Sequence, residues 1–319
     1  MKRFLPFLLL VWVCAALGQA YPSRPVTIVN GFPPGGTTDA AVRILASKLA
    51  ERMGQAVVVE NRPGATGMIA AAGVARAAPD GYTLLFGVAA NLAVGPATLK
   101  KPPYEPSTAF TPIGEMARGP YIWMVRADHP AADMTQFVAW TRANPGKAHY
   151  ASPGQGSVHH LATEMLKQRT GAVITHVPYK GGSALAAALL GGEVQAMFES
   201  PGGYLGNIRG GKLRALGVTG PRRLAALPEV PTLDEQGIPG LHVNSWWGIV
   251  GPAGMAPEVV QRLNAEIARA LADPELKGAL EKQSIEPSPG TPEAFGAYIR
   301  EEWERWRRFV SSSGIAVDQ

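Results

Sequence analysis

The chain has 319 residues, with 30 Lys and Arg against 25 Asp and Glu, six His and a single Cys, Cys14. The formal charge of +5 is dispersed, so no run makes a nucleic-acid stripe, and one cysteine excludes disulfides and Cys-ligated metal sites. The length is enough for about two domains with a large core.

The amino end sets the compartment. Lys2 and Arg3 precede an apolar run from Phe4 to Leu17, and Gly18-Gln19-Ala20 then offers small residues ahead of Tyr21. That is the layout of a cleavable signal peptide over residues 1–20, and the run is short for a bilayer span. Cleavage after Ala20 removes Cys14, Lys2 and Arg3, and leaves 28 basic against 25 acidic residues, a net +3. Lipidation at Cys14 is disfavoured, because Val11-Trp12-Val13 lacks the small residue expected just before such a cysteine.

From there short β-rich runs alternate with helical patterns. Val26–Val29 reads as a strand, Asp39–Met53 as a helix with Val42, Leu45, Leu49 and Met53 on one face, and Val57–Val59 as the next strand. An Ala-rich helix follows over Met68–Ala77, then a strand over Tyr82–Val88. The pattern restarts with a short strand over His149–Ser152, a helix over His160–Gln168, a strand over Val173–Val177 and a helix over Ser183–Leu190. Val194–Phe198 and Leu213–Val218 are strands, and helices over Pro257–Ala272, Pro274–Lys282 and Pro292–Val310 close the chain. Such alternation predicts an α/β fold with mainly parallel sheets. Extended stretches near Tyr121–Val125 and Ser245–Val250 connect the two units, so two crossings form a hinge rather than a tether. The expected division is residues 21–123 with 246–319 for lobe 1, and 124–245 for lobe 2.

Two strand-to-helix loops carry the chemistry. The first, Gly31 to Asp39, contains Gly35 and Gly36, which let a ligand approach the backbone, and Thr37 and Thr38, which add hydroxyl donors. A helix start presents unpaired N–H groups with positive dipole character, suited to an anion. Asp39 belongs at the N-cap or in the first turn. No Gly-Lys-Ser/Thr follows, so this is not a Walker loop, nor does it have dinucleotide-site spacing. The second loop, Ser152 to His160, repeats the design with Gly154, Gly156 and Ser157. Neither glycine loop contains Arg or Lys, and Arg43 and Lys48, further along the first helix, are expected to be bystanders. Two such loops suit a ligand with two acidic ends, held beyond the carboxyl ends of the strands.

His159 and His160 are adjacent and point in different directions, with no third ligand at metal spacing. One is expected to pack or cap the helix start and the other to be partly exposed, while His176 reads as a satisfied core residue. Gly156-Ser157-Val158-His159 is not a nucleophile elbow, and no cofactor motif is present. Asn61 to Gly67 reads as a structural turn in which Arg62 satisfies carbonyls, and Trp246 and Trp247 as hinge or core packing.

With these loops the sequence resembles the periplasmic substrate-binding subunits of tripartite tricarboxylate transporters, the Bug family, from Tyr21 to about Ile315. The resemblance is carried by Arg24-Pro-Val-Thr-Ile, Pro34-Gly-Gly-Thr-Thr-Asp39, Val59-Glu-Asn-Arg-Pro-Gly-Ala-Thr-Gly67 and Ala78-Pro-Asp-Gly-Tyr-Thr-Leu-Leu85. Asn144-Pro-Gly, His176-Val-Pro-Tyr-Lys-Gly181, Leu227-Pro-Glu-Val-Pro-Thr-Leu, Ser245-Trp-Trp-Gly and Gly251-Pro-Ala-Gly follow in order. It implies a type II periplasmic-binding-protein fold with a cleft between lobes. It also implies a carboxylate held by loop amides, hydroxyls and water rather than by an arginine clamp. By motif, Gly35, Gly36, Thr37, Thr38, Asp39, Ala89 and Asn91 would serve from lobe 1. Gly154, Gly156, Ser157, Tyr179, Lys180 and Gly181 would serve from lobe 2. Glu199 stands where the family usually has Asp, and Ser157-Val158-His159-His160 departs from the usual second loop, so the resemblance does not name the acid. Citrate, a C4 or C5 dicarboxylate, an aromatic acid and aspartate all fit. The implied partners are membrane permease subunits, for a monomeric, non-enzymatic receptor without cofactor. A receptor reporting to a membrane sensor and an enzyme of the cleft stay open beside that reading.

Overall fold

The computed structural model describes residues 21–179, 182–282 and 285–315. The signal segment, Lys180 and Gly181 lie outside the described residues.

The first half supplies β1 (Val26–Asn30), α1 (Thr37–Met53), β2 (Val57–Asn61), α2 (Met68–Ala75) and β3 (Thr83–Val88). A π-helical turn (Ala90–Val94), the short α3 (Gly95–Ala97) and β4 (Phe110–Pro120) come next. The middle holds β5 (Ile122–Arg126), α4 (Met134–Ala143), β6 (His149–Ser152), α5 (Val158–Thr170), β7 (Thr175–Pro178), α6 (Gly182–Gly191), β8 (Ala196–Glu199), α7 (Leu205–Arg209) and β9 (Leu213–Val218). The chain ends with β10 (Asn244–Pro252), α8 (Pro257–Leu271), α9 (Pro274–Lys282) and α10 (Pro292–Ser313). Among the elements not foreseen in the sequence are β4 and α4. β4 carries Pro112 and three residues of low strand preference, and α4 is a short helix whose N-cap, Asp133, accepts from Gln136 N–H.

The strands form two five-stranded sheets, ordered β2-β1-β3-β10-β4 and β7-β6-β8-β5-β9. In the first, β1 pairs in parallel with β2 and β3, and β10 runs antiparallel to both β3 and β4. In the second, β6 pairs in parallel with β7 and β8, and β5 runs antiparallel to β8 and β9. Each sheet therefore has four strands pointing one way and one reversed. The reversed strands, β10 and β5, are those entered when the chain changes sheet. The mainly parallel character follows from crossover helices, and the reversals follow from the two crossings.

Alternation along β1 sends Val26 and Ile28 toward α1 and α8, where Val42, Leu45, Leu49, Leu263 and Ile267 cover them. Val29 faces the other way, toward α2 and the α10 residues Phe295, Ile299 and Trp306. In the second sheet Trp123 and Tyr150 meet α4 and α5, and Met124 and Ala151 meet α6. Trp123, Trp246 and Trp306 are fully buried, and truncating such a tryptophan to alanine costs about 3–5 kcal/mol. Trp246 packs edge-on against Phe295 and Tyr298 of α10, and Trp247 lies in the α1-side core. No described helix is long and apolar enough to cross a membrane.

Candidate functional site

β1 ends on Asn30, and the chain turns at Gly31 because the backbone of Gly67 passes there. A Cβ on Gly31 would come within 2.6 Å of Gly67 Cα. The helix begins after Gly36, which occupies the N-cap with extended backbone (φ −84°, ψ 171°) and no side chain capping the turn. A Cβ at Gly36 would meet only the Pro33 carbonyl oxygen, at 4.0 Å, so the space above this helix start is open. Asp39 lies in the first turn, two residues inside the helix boundary, rather than at the cap. Its carboxylate turns aside, accepting from Gly35 N–H (3.0 Å), Arg43 Nε (2.9 Å) and Asn61 Nδ2 (2.7 Å). The side chain is buried. Burial opposes ionisation, but the bonds from Arg43, Gly35 and Asn61 outweigh it and pull the carboxyl down to about 2. Asp39 is thus a fixed anion whose charge is spent on its neighbours. It does not cap its own helix, which leaves the first-turn amides of α1, with their partial positive charge, without a side-chain cap.

Arg43 is part of this arrangement, which corrects the expectation that it is a bystander. It bonds Asp39 and, through a second nitrogen, Asn61 Oδ1 at 2.8 Å. Lys48 does stand apart, paired with Glu51, Asp273 and Glu275. Arg62 also departs from expectation: it makes a two-point pair with Glu60 at 2.6 and 2.8 Å instead of serving carbonyls.

Ala89 and Asn91 follow β3, the parallel neighbour of β1, and pairing of these strands brings them to the same sheet edge. Asn91 Oδ1 accepts from Val88 N–H at 2.8 Å, and Tyr104 donates its hydroxyl to the Asn91 carbonyl. Asn91 Nδ2 and both side-chain polar atoms of Asn30 are buried without partners among the described residues.

The second loop is built differently. β6 ends on the fully buried Ser152, whose Oγ donates to the Gly154 carbonyl (3.1 Å) and accepts Gly154 N–H (3.0 Å). Gly156 N–H donates to His160 Nδ1 at 3.2 Å. Gly154 and Gly156 sit at φ 139° and 76°, left-handed conformations that favour glycine. Ser157 is the N-cap of α5: its Oγ accepts His160 N–H at 3.2 Å and donates to the Gly154 carbonyl at 2.7 Å. Both glycine amides and the serine hydroxyl are therefore engaged inside the loop. The two loops look alike as sequence, but the first leaves its helix start without a side-chain cap and the second caps its own.

Tyr179 follows directly on β7, which lies beside β6, and donates its hydroxyl to Glu193 at 3.1 Å. Glu199 ends β8, on the other side of β6. Its Oε2 lies 3.2 Å from His159 Nε2, and its Oε1 accepts Ser200 N–H at 2.8 Å. Burial pushes this carboxyl up, but the neighbouring His159 imidazole and the Ser200 amide prevail and hold it below its usual range. Beneath it Tyr121 stacks on Phe198, with ring centroids 4.7 Å apart, and the His159 ring meets Tyr121 edge-on. His159 is partly exposed and His160 buried, the division expected of the pair.

Sequence reasoning passed over Asn61, Ser152 and the partnership of Glu199 with His159. A signal for the first two was present, since each is a polar residue closing an apolar strand, where a sheet's carboxyl edge meets its loops.

Two sheets, each with one reversed strand entered at a chain crossing, and glycine loops opening at the carboxyl ends of β1 and β6 define a two-lobed solute-binding protein of the type II periplasmic-binding-protein fold. The chain belongs to the tripartite tricarboxylate transporter receptor family. The family described as "Tripartite tricarboxylate transporter family receptor" matches residues 41–315. A UPF0065 protein from the tcbD-tcbE intergenic region of Pseudomonas sp. strain P51 is 41% identical over 302 residues, covering 94% of this chain and 90% of the relative. Protein BugT of Bordetella pertussis is 36% identical over 300 residues, covering 94% and 92%. Among solved structures, R. palustris Rpa4515 with adipate superposes with a TM-score of 0.83 at 34% identity, covering 93% of this chain and 99% of that one.

Proposed function

We propose that this receptor captures a small organic acid, a di- or tricarboxylate or a related carboxylate, in the periplasm and delivers it to membrane permease subunits of a tripartite transporter. The observation that carries the reading is the α1 start: a helix of 17 residues whose N-cap is glycine, without a side-chain cap and with open space above it. Such a terminus attracts an anion through its amides and dipole. The adipate in the similar structure is a ligand of this class. Gly35, Gly36, Thr37 and Thr38 would present the first carboxylate contact, with Asp39 as a buttress and Ala89 and Asn91 alongside. Gly154, Gly156 and Ser157 would shape the opposing wall, together with Tyr179, Lys180, Gly181 and Glu199.

The lobes are taken as residues 21–123 with 246–319, and 124–245. The change of sheet at Tyr121 and again between Val218 and Asn244 supports that division to within a few residues. Residues 1–20 act as a cleaved signal, and the mature chain works as a monomer without turnover of its ligand. A thermal-shift screen of mono-, di- and tricarboxylates tests the reading, since a ligand at 100 times its Kd stabilises the native state by about 2.7 kcal/mol. A panel in which no carboxylate shifts the transition, while a neutral or cationic solute does, would sink it.

A further inference from the structure

Loop two rests on two histidines from different elements. His160, in the first turn of α5, and His176, in the middle of β7, have ring centroids 4.5 Å apart at an interplanar angle of 32°. His176 also stacks on Tyr150 of β6, at 5.0 Å and 28°. Each imidazole reaches a different part of the loop. His160 Nδ1 accepts Gly156 N–H, and His176 Nε2 bonds the Ser152 hydroxyl that in turn holds both the amide and the carbonyl of Gly154. The Ser157 hydroxyl lies 3.5 Å from Ser152 Oγ and closes the set. The two left-handed glycines of the loop are thus each tied to one imidazole, His160 directly and His176 through Ser152.

We propose that His160 and His176 are positioning residues of the solute site: stacked in neutral form beneath loop two, they hold its glycine backbone in binding geometry, and the site loses affinity when the pair takes up a proton. The chemistry is specific. A nitrogen that accepts a hydrogen bond cannot carry a proton, so protonating His160 at Nδ1 breaks the bond from Gly156. Two cationic rings at this separation also repel. The surroundings keep the pair neutral: burial depresses both groups, and for His176 the neighbouring His160 adds to it, taking it down to about 4. The groups facing the pair are Tyr150 and Ser152 on β6 and Glu164 and Lys167 on α5. Glu164 pulls toward the charged form and Lys167 against it. These two are themselves paired at 2.8 Å, and Tyr150 donates to Glu164 at 3.3 Å, so the carboxylate that pulls on the pair is already engaged.

The inference rests on the carboxylate-receptor reading only for its affinity arm, so the test has two arms on the mature chain. In the first, ¹⁵N and imidazole signals of ligand-free protein are followed from pH 7.5 to 3.5, through the His176 titration. The Gly154 and Gly156 amides should move with the histidine titrations, and His160→Gln, which can still accept the Gly156 N–H, should abolish the movement at Gly156. In the second, calorimetry with adipate, then with C4–C5 dicarboxylates and citrate, compares wild type with His160→Gln and His176→Gln at each pH. Wild-type affinity should fall about tenfold between pH 7.5 and 3.5, as the pair takes up its proton, the equivalent of one hydrogen bond of ordinary strength. The variants should show a flatter profile than wild type. Comparing profiles removes the titration of the ligand and of every group outside the pair, which are common to all three proteins. Glycine amides that stay fixed while the histidines titrate, or identical affinity profiles in all three, would overturn the inference. If no carboxylate binds wild type at pH 7.5, the functional reading fails instead, and the amide titration alone decides the role of the histidines.

Discussion

Asn61 Nδ2 donates to Asp39 Oδ1 at 2.7 Å, tying the last residue of β2 to the first turn of α1. The same amide nitrogen also donates to the Phe32 carbonyl at 3.0 Å, so one side chain fixes both the loop and the helix start. With Arg43 and Gly35 completing the shell, the Asp39 carboxylate supports loop one from behind and leaves the helix amides to a ligand.

Asp39→Ala should therefore destabilise the protein by about 1–3 kcal/mol, because Arg43, the Asn61 amide and the Gly35 N–H lose the carboxylate they share. Urea unfolding at pH 7 measures this. The pH dependence has a definite sign. The carboxyl is held near 2 in the native state against 3.8 ordinarily, so its stabilisation is complete above about pH 4 and is lost as pH falls toward 2. The stability gap between wild type and Asp39→Asn should narrow over that window, and a gap that widened would contradict the assignment.

Gly36→Val should separate binding from folding. The residue has a backbone conformation open to any amino acid and empty space where its Cβ would go. The melting temperature of the ligand-free variant should stay close to wild type, while affinity for whichever carboxylate the screen returns should fall by about a hundredfold or more, roughly 2.7 kcal/mol. Lys48→Ala, whose ammonium pairs with Glu51, Asp273 and Glu275, serves as the control and should leave affinity unchanged. Calorimetry reversing that order would place the anion elsewhere.

Ser157→Ala should behave in the opposite way to Gly36→Val. The hydroxyl is the N-cap of α5 and is bonded within the loop, so its removal should cost about 0.5–2 kcal/mol of stability. Ser157→Thr, which keeps the cap, should recover most of that loss in the same denaturation series.

Export offers an independent check. The charged, apolar and small-residue layout of residues 1–20 predicts that protein recovered from the periplasm begins at Tyr21. Intact-mass measurement distinguishes this from a full-length chain retained in the membrane fraction.

Much of this was legible in the sequence, because it depends on local pattern. The period of Val42, Leu45, Leu49 and Met53 fixes α1, the apolar run of β1 ahead of a glycine turn fixes a strand-to-helix loop, and repetition of that unit implies two sheets. The ordered motifs from Arg24 to Gly254 carry the family. Tertiary structure decided what spacing cannot encode. Two glycine loops of similar composition become an open helix start and a closed one, because Asn61 and Arg43 turn Asp39 away from the first while Ser157 and His160 fill the second. The contacts that settle this join residues 22 apart for Asn61 with Asp39, and 24 apart for Ser152 with His176. Hydrogen bonds between neighbouring strands and helices depend on register and side-chain direction, which arise only when the sheets assemble.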